Sequence, residues 1–167
     1  MGTGSWKLWL QGLAHLFFPH RCVVCGNCLH EGEEVICLRC NIDMPRTNWH
    51  LERDNPVEKL FWGKIPLERA TSYFLYHKGS NFRHILHLLK YEGRSDIGRT
   101  MGRFIAEEIA ESGFFDGIDA IVPVPLHPRK QRARGYNQSE CLASGIADVT
   151  GIELDIQAVK RWVHSPT

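Results

Sequence analysis

Residues 118–140 read IDAIVPVPLHPRKQRARGYNQSE, and this stretch decides the fold class. Its first part, IDAIVPVP at 118–125, is a short and almost uninterrupted apolar run. That pattern predicts a strand buried on both faces, as in a parallel sheet. Val122 and Val124 each precede a proline, which biases them toward extended backbone. Its second part, 125–140, packs Arg129, Lys130, Arg132 and Arg134 into six residues, followed by Gly135, Asn137 and Gln138. The segment lies at the carboxyl end of the expected strand and before an expected helix. In open α/β sheets that is where ligands bind.

The flanks extend this reading. ATSYFLYH at 70–77 predicts a strand with Lys78-Gly79 as its turn. Asn81 is placed to cap a helix whose Phe82, Ile85, Leu86 and Leu89 fall at helical spacing, with Gly93 ending it. A second helix is expected over 96–112, with Met101, Phe104, Ile105 and Ile109 on one face and Gly113 closing it. A third opens near Ser139 and stops at Gly151, and a last strand is expected near 156–163. Strand, two helices, strand, helix, strand is the order of an α/β fold with βαβ units.

Upstream, Cys22, Cys25, Cys37 and Cys40 form two C-x2-C pairs separated by eleven residues. Each pair sets two thiolates on one tight turn, and the gap lets the second fold back across a metal. Four thiolates fill a tetrahedral Zn ion and leave no position for water, so the expected site is structural. Cys28 makes a further C-x2-C with Cys25, and an iron–sulfur cluster is the other metal such thiolates hold. His20 and His30 flank the set and are not assigned as ligands.

Length and composition bound the rest. A chain of 167 residues suffices for a metal-stapled module and a modest core. A net charge of +1 implies neither a generally basic nucleic-acid binder nor an acidic tail, so any basic patch is local. WKLWLQGLAHLFF at 6–18 has helical apolar spacing but is too short for a membrane span and too mixed for a signal peptide. It reads as an amphipathic helix. With the cysteines read as metal ligands, the expected location is cytoplasmic. The prolines at 45, 56 and 66 make 45–69 an irregular connection with Leu60, Phe61 and Trp62 docked on something apolar. The domains expected are therefore an amphipathic helix at 1–19, a zinc ribbon at 20–45, a linker at 46–69 and an α/β domain over 70–167.

The basic segment suits a phosphate or pyrophosphate, because arginine forks meet phosphate oxygens in pairs and a helix start adds free N–H groups. Arg129, Lys130, Arg132, Arg134, Gly135, Asn137 and Gln138 are the candidate phosphate-binding residues. A solvated basic loop and a nucleic-acid backbone contact are the alternatives.

The double C-x2-C, FRHILHLLKYEG at 82–93 and IVPVPLHPRKQRARGYNQSECLA at 121–143 resemble the ComF family over nearly the whole chain. That family is tied to bacterial competence and to DNA or nucleobase metabolism. The resemblance implies a zinc ribbon followed by a type I phosphoribosyltransferase-like domain. Arg134, Gly135, Tyr136, Asn137 and Gln138 match the family's R-G-[FY]-N-Q, and 123–135 correspond to its pyrophosphate-side loop. One departure stands out. The sequence holds no D-D-x-x-T-T-G turn, the element that in such transferases wraps the 5-phosphate and meets the ribose hydroxyls. The expected domain is thus incomplete, lacking its C-terminal half. Phosphoribosyl pyrophosphate and Mg belong only to a complete one, and this chain alone is not expected to transfer phosphoribosyl groups. Expected partners are a phosphate-bearing small molecule, single-stranded DNA or a DNA-uptake protein. A zinc-ribbon binding module without catalysis is the alternative function.

Overall fold

The computed structural model describes residues 20–162, so the amphipathic segment expected at 1–19 lies outside the described residues. The chain divides into two compact units, one ending at Met44 and one beginning at Pro45.

The first unit is built around its cysteines. The turn after Cys22 is closed by the Gly26 N–H donating to the Cys22 carbonyl at 2.9 Å, and Gly26 takes φ +76°, a conformation favouring glycine. Arg21 and Cys28 bridge antiparallel across this turn. The second pair opens helix α1, Leu38–Ile42, with Cys37 at its N-cap. Glu33 ties the intervening loop to that helix, accepting from the His30 N–H at 2.7 Å and the Leu38 N–H at 2.6 Å. Those two N–H groups hold the Glu33 carboxyl below its usual range. The apolar interior is small: Val24, Val35, Ile36 and Met44, beside Cys22, Cys37 and Cys40.

The second unit is mixed helix with a small parallel sheet. Residues 45–69 carry a 3₁₀ turn, Trp49–Leu51, and helix α2, Pro56–Lys59. Both are organised by Asn55, which is 2% exposed. Its side-chain oxygen accepts from the N–H groups of Val57 and Glu58 at 2.9 and 3.1 Å, capping α2. Its amide donates to the carbonyls of Trp49, Glu52 and Ala70 at 3.1, 3.2 and 2.8 Å. Asn55→Ala orphans several of these groups at once. It is expected to cost about 2–4 kcal/mol, read as a lower urea midpoint at unchanged slope. Leu60, Phe61 and Trp62 are not docked as expected. They are 64%, 37% and 59% exposed, and the Lys59 ammonium sits 5.9 Å from the Trp62 ring centroid.

The strand expected at 70–77 does not join the sheet. Its Phe74 makes an isolated antiparallel bridge with Arg46, supported by Thr47 N–H to Tyr73 carbonyl at 3.1 Å. The aromatic content that suggested a strand serves packing instead. The Tyr73 hydroxyl donates to Glu108 at 3.0 Å, and Glu108 also pairs with Arg46 at 2.5 Å. Burial, opposed by Arg46 and reinforced by Glu108, pushes the Tyr73 phenol up to about 12.

Helix α3 spans Arg83–Tyr91, one residue later than an Asn81 cap would start it; Phe82 holds the N-cap position and makes no side-chain cap. Helix α4 spans Ser95–Ile109 and runs through a 3₁₀ turn, Ala110–Ser112, to Gly113. Strand β1 is only Ala120–Ile121. Helix α5 spans Pro128–Arg134, helix α6 Gln138–Thr150, and strand β2 Glu153–Leu154. The two strands pair in parallel, Ala120 with Glu153 and Ile121 with Leu154.

Three expectations are corrected here. The run 118–125 is not a strand buried on both faces, since Val122 and Val124 are 44% and 70% exposed. Pro123 and Pro125 have no N–H to give a ladder, and pairing stops where they begin. The last strand lies at 153–154, just after the Gly151 cap, and the described part of 156–163 carries none. The basic segment is not a loop: Pro128 at the first helical position and His127 as N-cap make it α5, with the Arg129 N–H donating to His127 Nδ1 at 3.2 Å.

The core sits where α4 crosses α6, and glycine makes the crossing close. A Cβ on Gly102 would lie 2.1 Å from the Leu142 carbonyl oxygen, and one on Gly145 would lie 2.0 Å from that of Arg99. Ile97, Met101, Ala106 and Ile109 of α4 and Ala143 of α6 are buried, and Ile85 and Leu89 of α3 add to the core. Arg99 clamps Asp148 across the outside through two bonds of 2.6 and 2.8 Å.

Candidate metal centre and basic cleft

The two C-x2-C turns bring Cys22, Cys25, Cys37 and Cys40 together, with their four sulfurs within 4.8 Å of one another. The Cys25 and Cys37 sulfurs are 3.8 Å apart. A tetrahedral ion with metal–sulfur bonds of about 2.3 Å sets its ligands about 3.8 Å apart, so the residues fit a four-thiolate metal. Cys22, Cys37 and Cys40 are buried and Cys25 is exposed. All six cysteines are free, and Cys28, exposed, stands outside the cluster.

The electrostatics of the set suit a cation. Burial raises the Cys22 thiol, but the N–H groups of Cys37, Cys25 and Val24 outweigh it and bring it down to about 7. Cys40 is pushed strongly up by burial and by the neighbouring sulfurs of Cys25, Cys37 and Cys22. Four thiols this close resist ionising together, and a bound dication reverses that resistance. A tetrahedral ion held by all four sulfurs would have no position left for water.

The second candidate lies after β1. Folding 128–134 into a helix divides the four cations. Lys130 and Arg134, four residues apart, share a face and are half-buried; Arg129 and Arg132, three apart, are exposed on another. Lys130 and Arg134 line a cleft of about 430 Å³ with Leu126, Ala133 and Gln138. Its far wall is Lys90 and Tyr91 from the last turn of α3. The sequence pattern did not single out Lys90, because the cation density that marks the basic segment is absent around it.

The other matched residues build the frame. Gly135 ends α5 in the left-handed conformation at φ +87°. Tyr136 reaches back to donate its hydroxyl to the Leu89 carbonyl, one of the unpaired carbonyls at the end of α3. Asn137 is 1% exposed. Its oxygen accepts from the Ser139 N–H at 3.1 Å, capping α6, and its amide donates to the Val124 carbonyl and to Glu140, both at 3.1 Å. Asn137 therefore holds the exit of β1 against the start of α6, with its own bonding capacity spent. Gln138 accepts from Arg134. That partner is neutral, so the guanidinium charge stays in the cleft. A second cleft of about 340 Å³ lies beyond the carboxyl ends of both strands, between Pro123–Leu126 and Ile156–Trp162.

Comparison with known proteins finds relatives by sequence. The DNA utilization protein YhgH of Salmonella typhimurium is 34% identical over 143 residues, which are 84% of this chain and 59% of that protein. The Escherichia coli K12 protein of the same name is 27% identical over the same coverage. Competence protein F of Haemophilus influenzae is 24% identical over 160 residues, 90% of this chain and 69% of that protein. These similarities support the resemblance to the ComF family. It spans 59% of the length of the DNA utilization relatives it matches. No family model matches the chain, and no solved structure matches it. Among the described residues no helix is long and apolar enough to cross a membrane.

Proposed function

We propose that this ComF relative binds a phosphate or pyrophosphate group through residues 126–138, in a protein serving DNA utilization or competence. The observation that carries the reading is the placement of Lys130 and Arg134, both half-buried in one cleft just after the carboxyl end of a parallel strand. The domain from 70 onward is read as part of a type I phosphoribosyltransferase-like fold, supported by the parallel β1–β2 pair joined through two helices. Residues 20–45 are read as a zinc ribbon with Cys22, Cys25, Cys37 and Cys40 on Zn, supported by the sulfur spacing. Phosphoribosyl pyrophosphate and Mg enter this reading only with a complete domain that supplies the acidic and Thr/Gly-rich turn.

The names of the relatives favour a second reading, in which the zinc ribbon and basic helix contact single-stranded DNA or a DNA-uptake protein without catalysis. Titration with inorganic pyrophosphate under NMR separates the two. On the first reading the amides of 126–140 shift saturably at low salt, and the shift weakens as ionic strength rises. No movement in that segment at saturating pyrophosphate, with movement on adding a short single-stranded oligonucleotide, establishes the second reading instead.

A further inference from the structure

We propose that the turn at 59–65 is a docking surface for an anionic lipid bilayer. Its apolar side chains enter the headgroup boundary and its two lysines meet lipid phosphates. None of the residues 126–138 takes part, so this surface stands or falls apart from the phosphate reading.

The turn reads KLFWGKI. Leu60, Phe61, Trp62 and Ile65 are all exposed, and Leu67 follows them at the surface. Large apolar groups clustered in this way forgo the gain of burial unless something covers them. The turn is not loose chain. The N–H groups of Leu60, Phe61 and Trp62 continue the bonding of α2, donating to the carbonyls of Val57, Glu58 and Lys59 at 3.1, 3.0 and 3.4 Å. The Lys64 N–H closes the turn on the Phe61 carbonyl at 3.0 Å, and Gly63 takes φ +71° where the chain reverses. The buried Asn55 caps the helix that carries it. The fold thus holds the apolar groups out on an ordered base.

The charges select the occupant. Residues 59–67 contain no carboxylate, and the exposed Lys59 and Lys64 flank the apolar tip. The Lys64 ammonium donates to the Leu60 carbonyl at 2.9 Å, and the Lys59 ammonium lies 5.9 Å from the Trp62 ring centroid. Three acids, Asp54, Glu58 and Glu68, border the tip across a cleft of about 120 Å³. Glu58 accepts from the N–H groups of Asp54 and Ala70 and pairs with Arg69, and Glu68 pairs with Arg53. That leaves Asp54 against two lysines. Protein interfaces are depleted in lysine. At a bilayer surface tryptophan sits at headgroup level, and lysine stems lie along apolar surface while their ammonium groups reach phosphate. A stacked nucleic-acid base gains nothing from Leu60 or Ile65, which have no aromatic face.

Sedimentation of the full chain with vesicles tests this. Vesicles of phosphatidylglycerol and phosphatidylethanolamine should carry the chain down at low salt, and binding should weaken as ionic strength rises. Pure phosphatidylcholine vesicles should bind about tenfold more weakly. Leu60→Ala/Trp62→Ala should lose about tenfold or more on the anionic vesicles, because it removes much of the inserted surface. Both side chains are exposed, so circular dichroism should show the fold retained. Lys59→Gln and Lys64→Gln should each lose about fivefold on anionic vesicles and leave binding to phosphatidylcholine unchanged. If the double variant and both lysine variants bind like the parent, the tip is not the contact. Loss of binding in Trp6→Ser/Trp9→Ser instead would assign the attraction to the amino-terminal segment. A parent chain that ignores anionic vesicles overturns the lipid assignment. A dimer dissolved by Trp62→Ala would then make this face a contact between copies, and Trp62-dependent binding of a single-stranded oligonucleotide would make it a base-stacking surface.

Discussion

Stripping zinc from the purified chain is expected to unfold residues 20–44. Among its described residues, four apolar side chains, Val24, Val35, Ile36 and Met44, are buried beside the cysteines. A core that small does not offset the conformational entropy of ordering some twenty-five residues at about 1–2 kcal/mol each. Structural zinc supplies about 10–16 kcal/mol of apparent binding free energy in comparable peptides, which is the right scale for the deficit. Metal analysis should find one zinc per chain. A strong chelator should collapse the dispersed amide signals of Val24, Val35 and Ile36 toward random-coil positions, and Cys40→Ser should do the same without chelator. Cys28→Ser should keep both metal and fold, because Cys28 stands outside the four-sulfur cluster. Zinc near zero with those signals still dispersed would falsify the assignment.

The four-cysteine cluster was legible because spacing alone encodes it. Two C-x2-C turns impose a local geometry, and the structure brings the sulfurs within 4.8 Å as that geometry requires. The helices were legible for a similar reason: the apolar period of 85–89 and 97–109 is a local signal, and Gly93, Gly113 and Gly151 take the positive φ of a helix end. Strands were the weak point. Aromatic and β-branched runs at 70–77 and 118–125 signal apolar surface, but whether a ladder forms depends on a partner elsewhere in the chain. At 118–125 the partner is the two residues of β2, and at 70–77 it is the segment around Arg46.

The candidate cleft was half legible. Cation density drew attention to 129–134, yet density says nothing of direction. Only the helical phase of α5 separates Lys130 and Arg134 from Arg129 and Arg132, and only tertiary packing brings Lys90 to them. Asn137 looked like a ligand contact from sequence, and Tyr136 stood beside it in the matched motif. Their hydrogen-bonding groups are spent on Val124, Glu140, Ser139 and Leu89, so their contribution is to hold the cleft's walls in place.

Gly145→Ala is expected to destabilise the chain by about 3–5 kcal/mol, and here two principles oppose each other in sign. Helix propensity alone favours alanine over glycine by about 1 kcal/mol in a helix interior. Packing opposes it, because the added methyl would meet the Arg99 carbonyl oxygen at 2.0 Å and the Arg103 nitrogen at 2.9 Å. Those are backbone atoms of α4, and no side-chain rotation moves them aside. The helices must separate, and with them the contacts of Ile97, Met101, Ala106 and Ala143. Domains of this size hold about 5–15 kcal/mol in all, so the loss takes a large share and packing wins. Chemical denaturation reads the effect, with Gly102→Ala as an independent repeat, since its methyl would lie 2.1 Å from the Leu142 carbonyl oxygen. A stabilised Gly145→Ala chain would mean that propensity governs and the close crossing is wrong. The consequence reaches the cleft as well. Helix α6 begins at the Asn137 cap, which also holds Val124, and Arg134 bonds Gln138 in its first turn. Moving α6 off α4 shifts that first turn relative to Lys90, so pyrophosphate affinity should fall in any fraction of the variant that remains folded.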